Sequence, residues 1–376
     1  MGRFLTDKGS LLSALQLVQG VVEKKSINPI LSSIVIETSS DDQVTIEATN
    51  LEESIKIAIW AEVYSNFKVA IPFRRLTEFV RELPDLPITV TSDGNLLNIE
   101  VEGIKASFPT MDLEDYPGLP EEPTELVQIG REFLISSIGK VDFSIAKDAV
   151  STALMGMLFK KEGSTISFVS TDGHRLSLVE DSSRGLEVSD FEILLPRKGV
   201  TEILKILEKK VEEDVVYFGT SSNHFFMKVG SVKFFTRLLD AKFPNYKRVI
   251  PTDFERSFVV NKSDMMKAVK RVSLFSDDKI RTLKIHFLPE EKKLILVSVK
   301  PSGDTFIGVA SQEIYVENAT GTELTFGING RYLMEALGAF DSEKVRFELG
   351  DPLWPIKLST DGENYIHVVM PVTLEE

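Results

Sequence analysis

Three times along the chain the same pattern recurs: an apolar stripe at helical spacing, a loop, then runs that alternate apolar and polar residues. Leu11, Leu12, Leu15 and Val18 form the first stripe. Phe133, Leu134, Ile138 and Val141 form the second, and Met265, Met266, Val269 and Val272 the third. Residues three and four apart share a helix face, so each stripe predicts an amphipathic helix with one side buried. The runs at 33–37, 165–169 and 293–297 are rich in β-branched residues and bounded by Asp-Gly, Pro and Ser clusters, which predicts antiparallel strands.

A second block repeats with nearly the same period. Residues 69–83, 193–207 and 326–337 each read as a short strand running into a helix. The helix opens with Pro72, Pro196 or Asn329, carries a basic residue two positions later, and has Glu at the sixth. Pro suits a first helical turn and Asn suits a cap. The junctions also match: Met111-Asp112-Leu113-Glu114-Asp115-Tyr116-Pro117 closes one unit and Leu239-Asp240-Ala241-Lys242-Phe243-Pro244 the next. The pattern predicts an α+β chain of three repeats, each of about 125 residues with two helices and seven or eight strands. The domains fall at 1–122, 123–252 and 253–376. Helices are expected at 9–25, 72–82, 131–140, 196–210, 262–273 and 329–340, and Arg3-Phe4-Leu5 reads as a first strand.

Charge sharpens this picture. The formal net charge is −14, which argues against a protein that coats nucleic acid. Yet five of the six helical segments are net basic and the sixth is neutral, so the acidic excess lies wholly in strands and loops. A basic helical surface on an acidic body is suited to phosphate contacts that need no base reading. There is no cysteine, and no two of the four histidines stand at metal-ligand spacing. Disulfides, thiolate nucleophiles and cysteine zinc sites are therefore excluded, and no cofactor is expected. The sequence has no GxxxxGK[ST], GxGxxG, HExxH or GxSxG, so no catalytic site is expected. It also has no signal-peptide core and no stretch able to span a bilayer, so a cytoplasmic chain without a membrane partner is expected.

Several motifs together resemble one family, the bacterial sliding clamp or β subunit of DNA polymerase III. They are Asn28-Pro29-Ile30-Leu31, Leu158-Phe159, Thr171-Asp172-Gly173-His174-Arg175-Leu176, Leu195-Pro196-Arg197-Lys198-Gly199-Val200, Phe243-Pro244-Asn245-Tyr246-Lys247-Arg248-Val249-Ile250-Pro251 and Val368-Val369-Met370-Pro371. Their order and spacing agree with the family over essentially the whole chain. The resemblance implies a head-to-tail homodimer whose six domains close a ring around double-stranded DNA, with helices inside and sheets outside. It would tether the polymerase III catalytic subunit for processive DNA replication, in company with a 3'-5' exonuclease. Further implied partners are the clamp loader, other DNA polymerases, and mismatch-repair and ligase-type proteins carrying short peptide motifs. The implied location is the bacterial cytoplasm, at the nucleoid during replication.

Carried over residue by residue, the resemblance assigns DNA contacts to Lys24 and Lys25, to Arg74, Arg75, Arg197 and Lys198 at helix starts, and to Lys147. A tyrosine pair usual in the family is replaced by Thr152 and Ala153, which removes stacking on exposed bases. It implies a peptide pocket built from Leu154, from Thr171, Gly173, His174, Arg175 and Leu176, and from Pro244, Arg248 and Val249. Tyr332, Leu353 and the terminal Val369, Met370, Pro371 and Val372 complete it, with His174 and Arg175 orienting the peptide at the rim. The first repeat has Thr49-Asn50-Leu51 where the second has Thr171-Asp172-Gly173, so the pocket belongs to the second and third repeats. Thr373 replaces a familiar basic residue, and Glu375 and Glu376 add charge that weakens acidic peptides. Phe108 on one side and Leu274 with Phe275 on the other match the family's dimer interface, with the small Ala106 beside it. The alternative is a peptide-binding, clamp-like scaffold that does not encircle DNA.

Overall fold

The computed structural model describes residues 2–23, 27–183, 185–186, 188–209, 213–276, 281–299 and 308–374. The first repeat runs β1 (Gly2–Thr6), α1 (Lys8–Val18), β2 (Ser33–Thr38), β3 (Gln43–Thr49), β4 (Glu53–Trp60), β5 (Glu62–Ser65), β6 (Lys68–Pro72), α2 (Phe73–Glu82), β7 (Ile88–Ser92), β8 (Leu96–Val101) and β9 (Ile104–Pro109). The second runs β10 (Val127–Gly130), α3 (Arg131–Gly139), β11 (Gly156–Glu162), β12 (Thr165–Thr171), β13 (Arg175–Asp181), β14 (Phe191–Pro196), α4 (Arg197–Glu208), β15 (Val215–Ser221), β16 (His224–Val229) and β17 (Val232–Arg237). The third runs β18 (Arg256–Asn261), α5 (Lys262–Val272), β19 (Thr282–Leu288), β20 (Lys293–Ser298), β21 (Ser311–Tyr315), β22 (Glu317–Thr320), β23 (Leu324–Asn329), α6 (Gly330–Ala339), β24 (Lys344–Leu349), β25 (Ile356–Ser359) and β26 (Tyr365–Val369). All six expected helices are present among the described residues. Among the described residues the strands number nine, eight and nine per repeat, so the second matches the seven or eight expected and the first and third exceed it by one.

The helices form for local reasons. Asp7 caps α1 by accepting from the Ser10 amide at 2.7 Å, and Asn261 and Asn329 cap α5 and α6 in the same way; such a cap contributes about 1 kcal/mol. On α2, Phe73, Leu76, Thr77 and Val80 are buried while Arg74, Arg75 and Glu78 are exposed. Helix α1 stops at Val18 rather than near residue 25, because the Val21 and Val22 amides both turn back onto the Val18 carbonyl.

Among the described residues the strands make four antiparallel sheets. Eight strands in the order β10-β15-β16-β17-β4-β3-β2-β6 join the first repeat to the second through β17 and β4. Nine in the order β14-β11-β12-β13-β26-β25-β24-β18-β22 join the second to the third through β13 and β26. The remaining sheets, β5-β1-β7-β8-β9 and β21-β20-β19-β23, stay within the first and third repeats. Because its strands serve two sheets, the second repeat divides between two compact units: Met1–Ile135 with Leu186–Val188 and Lys198–Leu238, and Ser136–Gly185 with Ser189–Arg197 and Leu239–Glu376. In the first unit α1 packs on α2, and in the second α5 packs on α6.

One closing contact is made three times. The Met111 amide donates to Ala70 O at 2.8 Å, Leu239 to Leu194 O at 3.0 Å, and Val372 to Gly327 O at 2.9 Å. In each case the segment that ends a repeat folds back on the strand before its second helix. In the first repeat Met111, Leu113 and Tyr116 pack over Ile30, Leu31, Val35 and Ala70.

Candidate functional site

In the second unit, the turn between β12 and β13 is built by its own side chains. Asp172 Oδ1 accepts from the His174 and Arg175 amides at 3.0 and 3.1 Å, and the Thr171 hydroxyl donates to the Arg175 carbonyl at 2.6 Å. Gly173 sits between them at φ +89°, where an L side chain is strained. The Met370 amide donates to the His174 carbonyl at 2.8 Å and fixes the end of the chain beside the turn.

Next to this turn lies an apolar cavity of about 300 Å³, lined by Leu154, Thr171, Gly173, His174, Arg175, Leu176, Pro244, Asn245, Tyr246, Val249, Val368 and Met370. Its floor is a buried cluster that includes Ala153, Leu158, Leu176, Leu178, Phe243, Tyr246 and Val368. Val249 and Met370, 49% and 38% exposed, are the adaptable walls. Burial pushes the Tyr246 phenol up to about 12, so the floor is neutral. The shape and lining suit an apolar side chain of a peptide.

Nine of the residues expected for a peptide pocket line this cavity, and six do not. Val369 is fully buried because alternation along β26 turns it to the opposite face from Val368. Arg248 is exposed on the turn Tyr246–Arg248, and Leu353 is exposed on the loop after β24. Pro371 and Val372 are half-buried where the tail bridges back to Gly327. Tyr332 lines a second cleft, of about 380 Å³, with Lys147, Asp148, Arg331 and Asn329; His174 and Arg175 border both. Asn245, Tyr246 and Val368 were missed as lining residues, although the period-two alternation of β26 separates Val368 from Val369.

His174 lines the cavity and is exposed, whereas Arg175 is buried. Its side chain is only 4% exposed. Its guanidinium bonds Asp172 Oδ2 at 3.1 Å, Glu335 and the Phe143 carbonyl at 2.5 Å, and lies 4.1 Å over the Tyr332 ring. Arg175 is therefore a strut beneath the rim. Burial and then the Asp172 charge raise the Tyr332 phenol above its ordinary value.

The basic candidates spread over both units. Arg74 and Arg75 are exposed on α2, with Arg74 Nε 2.9 Å from Glu78. Arg197 is half-buried at the start of α4, and Lys198 is bound at 2.6 Å to buried Glu53. Lys147 is exposed. Lys24 and Lys25, like Glu375 and Glu376, lie outside the described residues. In the first unit an open groove of about 770 Å³ runs between the end of α1 and α4, lined by Lys198, Lys205 and Lys209 and equally by Glu23, Glu202 and Glu208. Lys205 and Lys209 were not singled out, although both fall in the segment 196–210 read as a basic helix. Burial lowers the Lys209 ammonium below its usual value.

Phe108 is half-buried on β9, an edge strand, with its ring 5.7 Å from Phe79. Leu274 is 70% exposed and Phe275 half-buried in the turn Ser273–Phe275 after α5. Among the described residues no group of three or more His, Asp or Glu side chains is placed to hold a metal ion, and no helix is long and apolar enough to cross a membrane.

Three family models match the chain in order. They are described as the N-terminal, central and C-terminal domains of the DNA polymerase III beta subunit, and cover residues 3–120, 128–245 and 247–373. The chain is 28% identical over 375 residues to the beta sliding clamp of Pseudomonas aeruginosa, covering 99% of this chain and all of that one. It is 26% identical over 376 residues to the beta sliding clamp of Escherichia coli, with the same coverage. Among solved structures, the DNA polymerase III subunit beta of Pseudomonas aeruginosa superposes with a TM-score of 0.91 at 26% identity, over 99% of this chain and 100% of that one. The clamp of the same organism bound to griselimycin gives 0.90 at 27% identity, with equal coverage.

Proposed function

Since the chain belongs to the family of DNA polymerase III beta subunits, we propose that the surfaces described above divide a clamp's work among them. The protein is a DNA sliding clamp and not an enzyme. Two copies form a ring that encircles duplex DNA and tethers the replicative polymerase. Topology, rather than sequence-specific contact, keeps it on DNA.

The observation that carries this reading is the pattern of sheet edges. Each junction inside the chain is sealed by a sheet of eight or nine strands, while the first and third repeats keep a five-stranded and a four-stranded sheet. Pairing edge strand β9 of one copy with edge strand β21 of another joins these into a sheet of nine strands. Phe108, Leu274 and Phe275 supply apolar contacts at that seam. Unpaired edges are otherwise a liability for aggregation.

The three repeats act as domains with boundaries at 122 and 252. Arg74, Arg75, Lys147 and Arg197 contact phosphates, and Lys24 and Lys25 add to the attraction. The apolar cavity beside the β12–β13 turn takes the anchor of a short peptide from the polymerase, the clamp loader, other polymerases, or mismatch-repair and ligase-type proteins. His174 stands at its rim and Arg175 braces it. The protein works in the bacterial cytoplasm, at the nucleoid during replication.

Retention on DNA tests this. Protein loaded on a nicked circular plasmid is expected to stay through gel filtration at high salt and to be lost once the plasmid is linearised. Equal retention on both forms overturns encirclement and favours a peptide-binding scaffold.

A further inference from the structure

The turn beside the apolar cavity has a counterpart in the first repeat, with the same bonds and the opposite charge. In the turn between β3 and β4, Asn50 Oδ1 accepts from the Glu52 and Glu53 amides at 3.0 and 2.7 Å. The Thr49 hydroxyl donates to the Glu53 carbonyl at 3.2 Å, and Leu51 takes φ +75° where Gly173 takes +89°. Residue 53 thus holds the place that residue 175 holds in the second repeat. Both are buried charges, one a carboxylate and the other a guanidinium.

Each reaches a helix that offers the same choice. Lys198 and Glu202 on α4 stand at the same helix positions as Arg331 and Glu335 on α6, and as Arg74 and Glu78 on α2. On α2 and α6 the pairs close on themselves, Arg74 to Glu78 at 2.9 Å and Arg331 to Glu335 at 3.2 Å. On α4 the pair is split. Lys198 bonds Glu53 at 2.6 Å and Glu202 is left to Lys205 at 2.7 Å. The turn residue takes whichever helix charge opposes its own: Arg175 takes Glu335, and Glu53 takes Lys198.

The Glu53 pair differs in kind from a surface pair. The Glu53 side chain is 2% exposed although Lys198 keeps 56%, whereas Arg74 and Glu78 are 88% and 56% exposed. Glu53 Oε1 has no partner, and Asn50 Nδ2 lies 3.4 Å from Oε2. Burial pushes the Glu53 carboxyl up, while Lys198 and Asn50 act to hold it down. A charge kept buried at such cost stays paired, whereas an exposed pair four residues apart is weak and yields readily to another anion.

We propose that Glu53 masks Lys198, binding the cation that opens α4 so that it makes little contribution to phosphate attraction, while Arg74 at the same place on α2 stays available. This rests on the reading of the basic helix starts as a DNA-facing surface. The two intrachain junctions use one turn to opposite effect: an acid at residue 53 withdraws a helix cation, and a base at residue 175 withdraws a helix anion.

The test is the salt dependence of binding to a short linear duplex, followed by fluorescence anisotropy. Losing one phosphate contact reduces the slope of log affinity against log salt by about 0.9. Arg74→Gln is expected to reduce it by about that amount, and Lys198→Gln to change it by much less. In a Glu53→Gln background, where the mask is gone, Lys198→Gln is expected to reduce the slope by about 0.9. Equal slopes for Arg74→Gln and Lys198→Gln in the native chain overturn the mask, and so does an identical Lys198→Gln effect in both backgrounds. The first comparison leaves Glu53 in place, so it holds even where Glu53→Gln fails to fold, and a thermal melt of Lys198→Gln confirms that this variant is folded. If Arg74→Gln and Lys198→Gln, with or without Glu53, all leave the slope unchanged, the DNA-facing reading itself fails.

Discussion

His367 is a fully buried imidazole on β26, opposite Ser177 on β13. Its Nδ1 is 2.9 Å from the Ser177 hydroxyl and 3.4 Å from the Tyr365 hydroxyl, Phe143 stacks on the ring, and Nε2 has no partner. Burial, then the nearby Arg175 charge, drives its pKa from 6.5 to about 3. The folded value lies below the unfolded one, so the unfolded chain binds the extra proton as pH falls. The stability of keeping this ring neutral is complete above about pH 6.5 and drains away as pH falls from there toward 3. Each unit crossed costs about 1.4 kcal/mol, so wild type should lose about 2 kcal/mol more than His367→Asn between pH 7 and 5. Urea unfolding at the two pH values measures this, and parallel losses in both proteins would remove His367 as the cause. The same strand pair shows what single residues disclose. Strand alternation suffices to place Val368 on the cavity side and Val369 on the other. No sequence pattern announces that Arg175 turns inward, because its partner Glu335 is 160 residues away.

At the scale of elements, the three closing segments do one job with different consequences. The first is plugged by its own Tyr116, whereas the last leaves Met370 at the cavity and hangs its tail on Gly327. Gly327 is glycine for want of space: a Cβ there would lie 2.3 Å from the Val372 carbonyl and 2.9 Å from Leu374. Gly327→Val should lift the tail from β23 and loosen Met370, whose amide donates to the His174 carbonyl. The expected result is about tenfold weaker capture of a clamp-binding peptide, or about 1.4 kcal/mol, with the fold retained. Peptide titration beside a thermal melt decides it, and unchanged affinity would show that the tail does not shape the cavity. The helices and closing segments were legible because stripes, caps and prolines act over a few residues. The joining of β17 to β4 and of β13 to β26 was not, since alternation fixes which face a strand buries but not which strand lies beside it.

For the whole molecule, the decisive facts are the distribution of charge and the edges left open. A net charge of −14 conceals helices that are neutral or basic, and the split follows directly from assigning residues to elements. What the split does not reveal is how many of those cations are free, because pairing depends on burial, as the contrast between Arg74 and Lys198 shows. Encirclement further requires that two copies close. Leu274, 70% exposed, stands where the proposed seam would cover it. Replacing Leu274 and Phe275 together with Asp puts two carboxylates into the seam, where burying an unpaired charge costs more than the seam gains. Light scattering at micromolar concentration should then give 42.1 kDa, against twice that mass for the native protein. The variant should also leave circular DNA as quickly as linear DNA, while its affinity for a clamp-binding peptide is unchanged because neither residue lines the cavity. A persistent dimer would move the interface elsewhere, and a monomer that still remains on circles would mean that something other than ring closure holds it there.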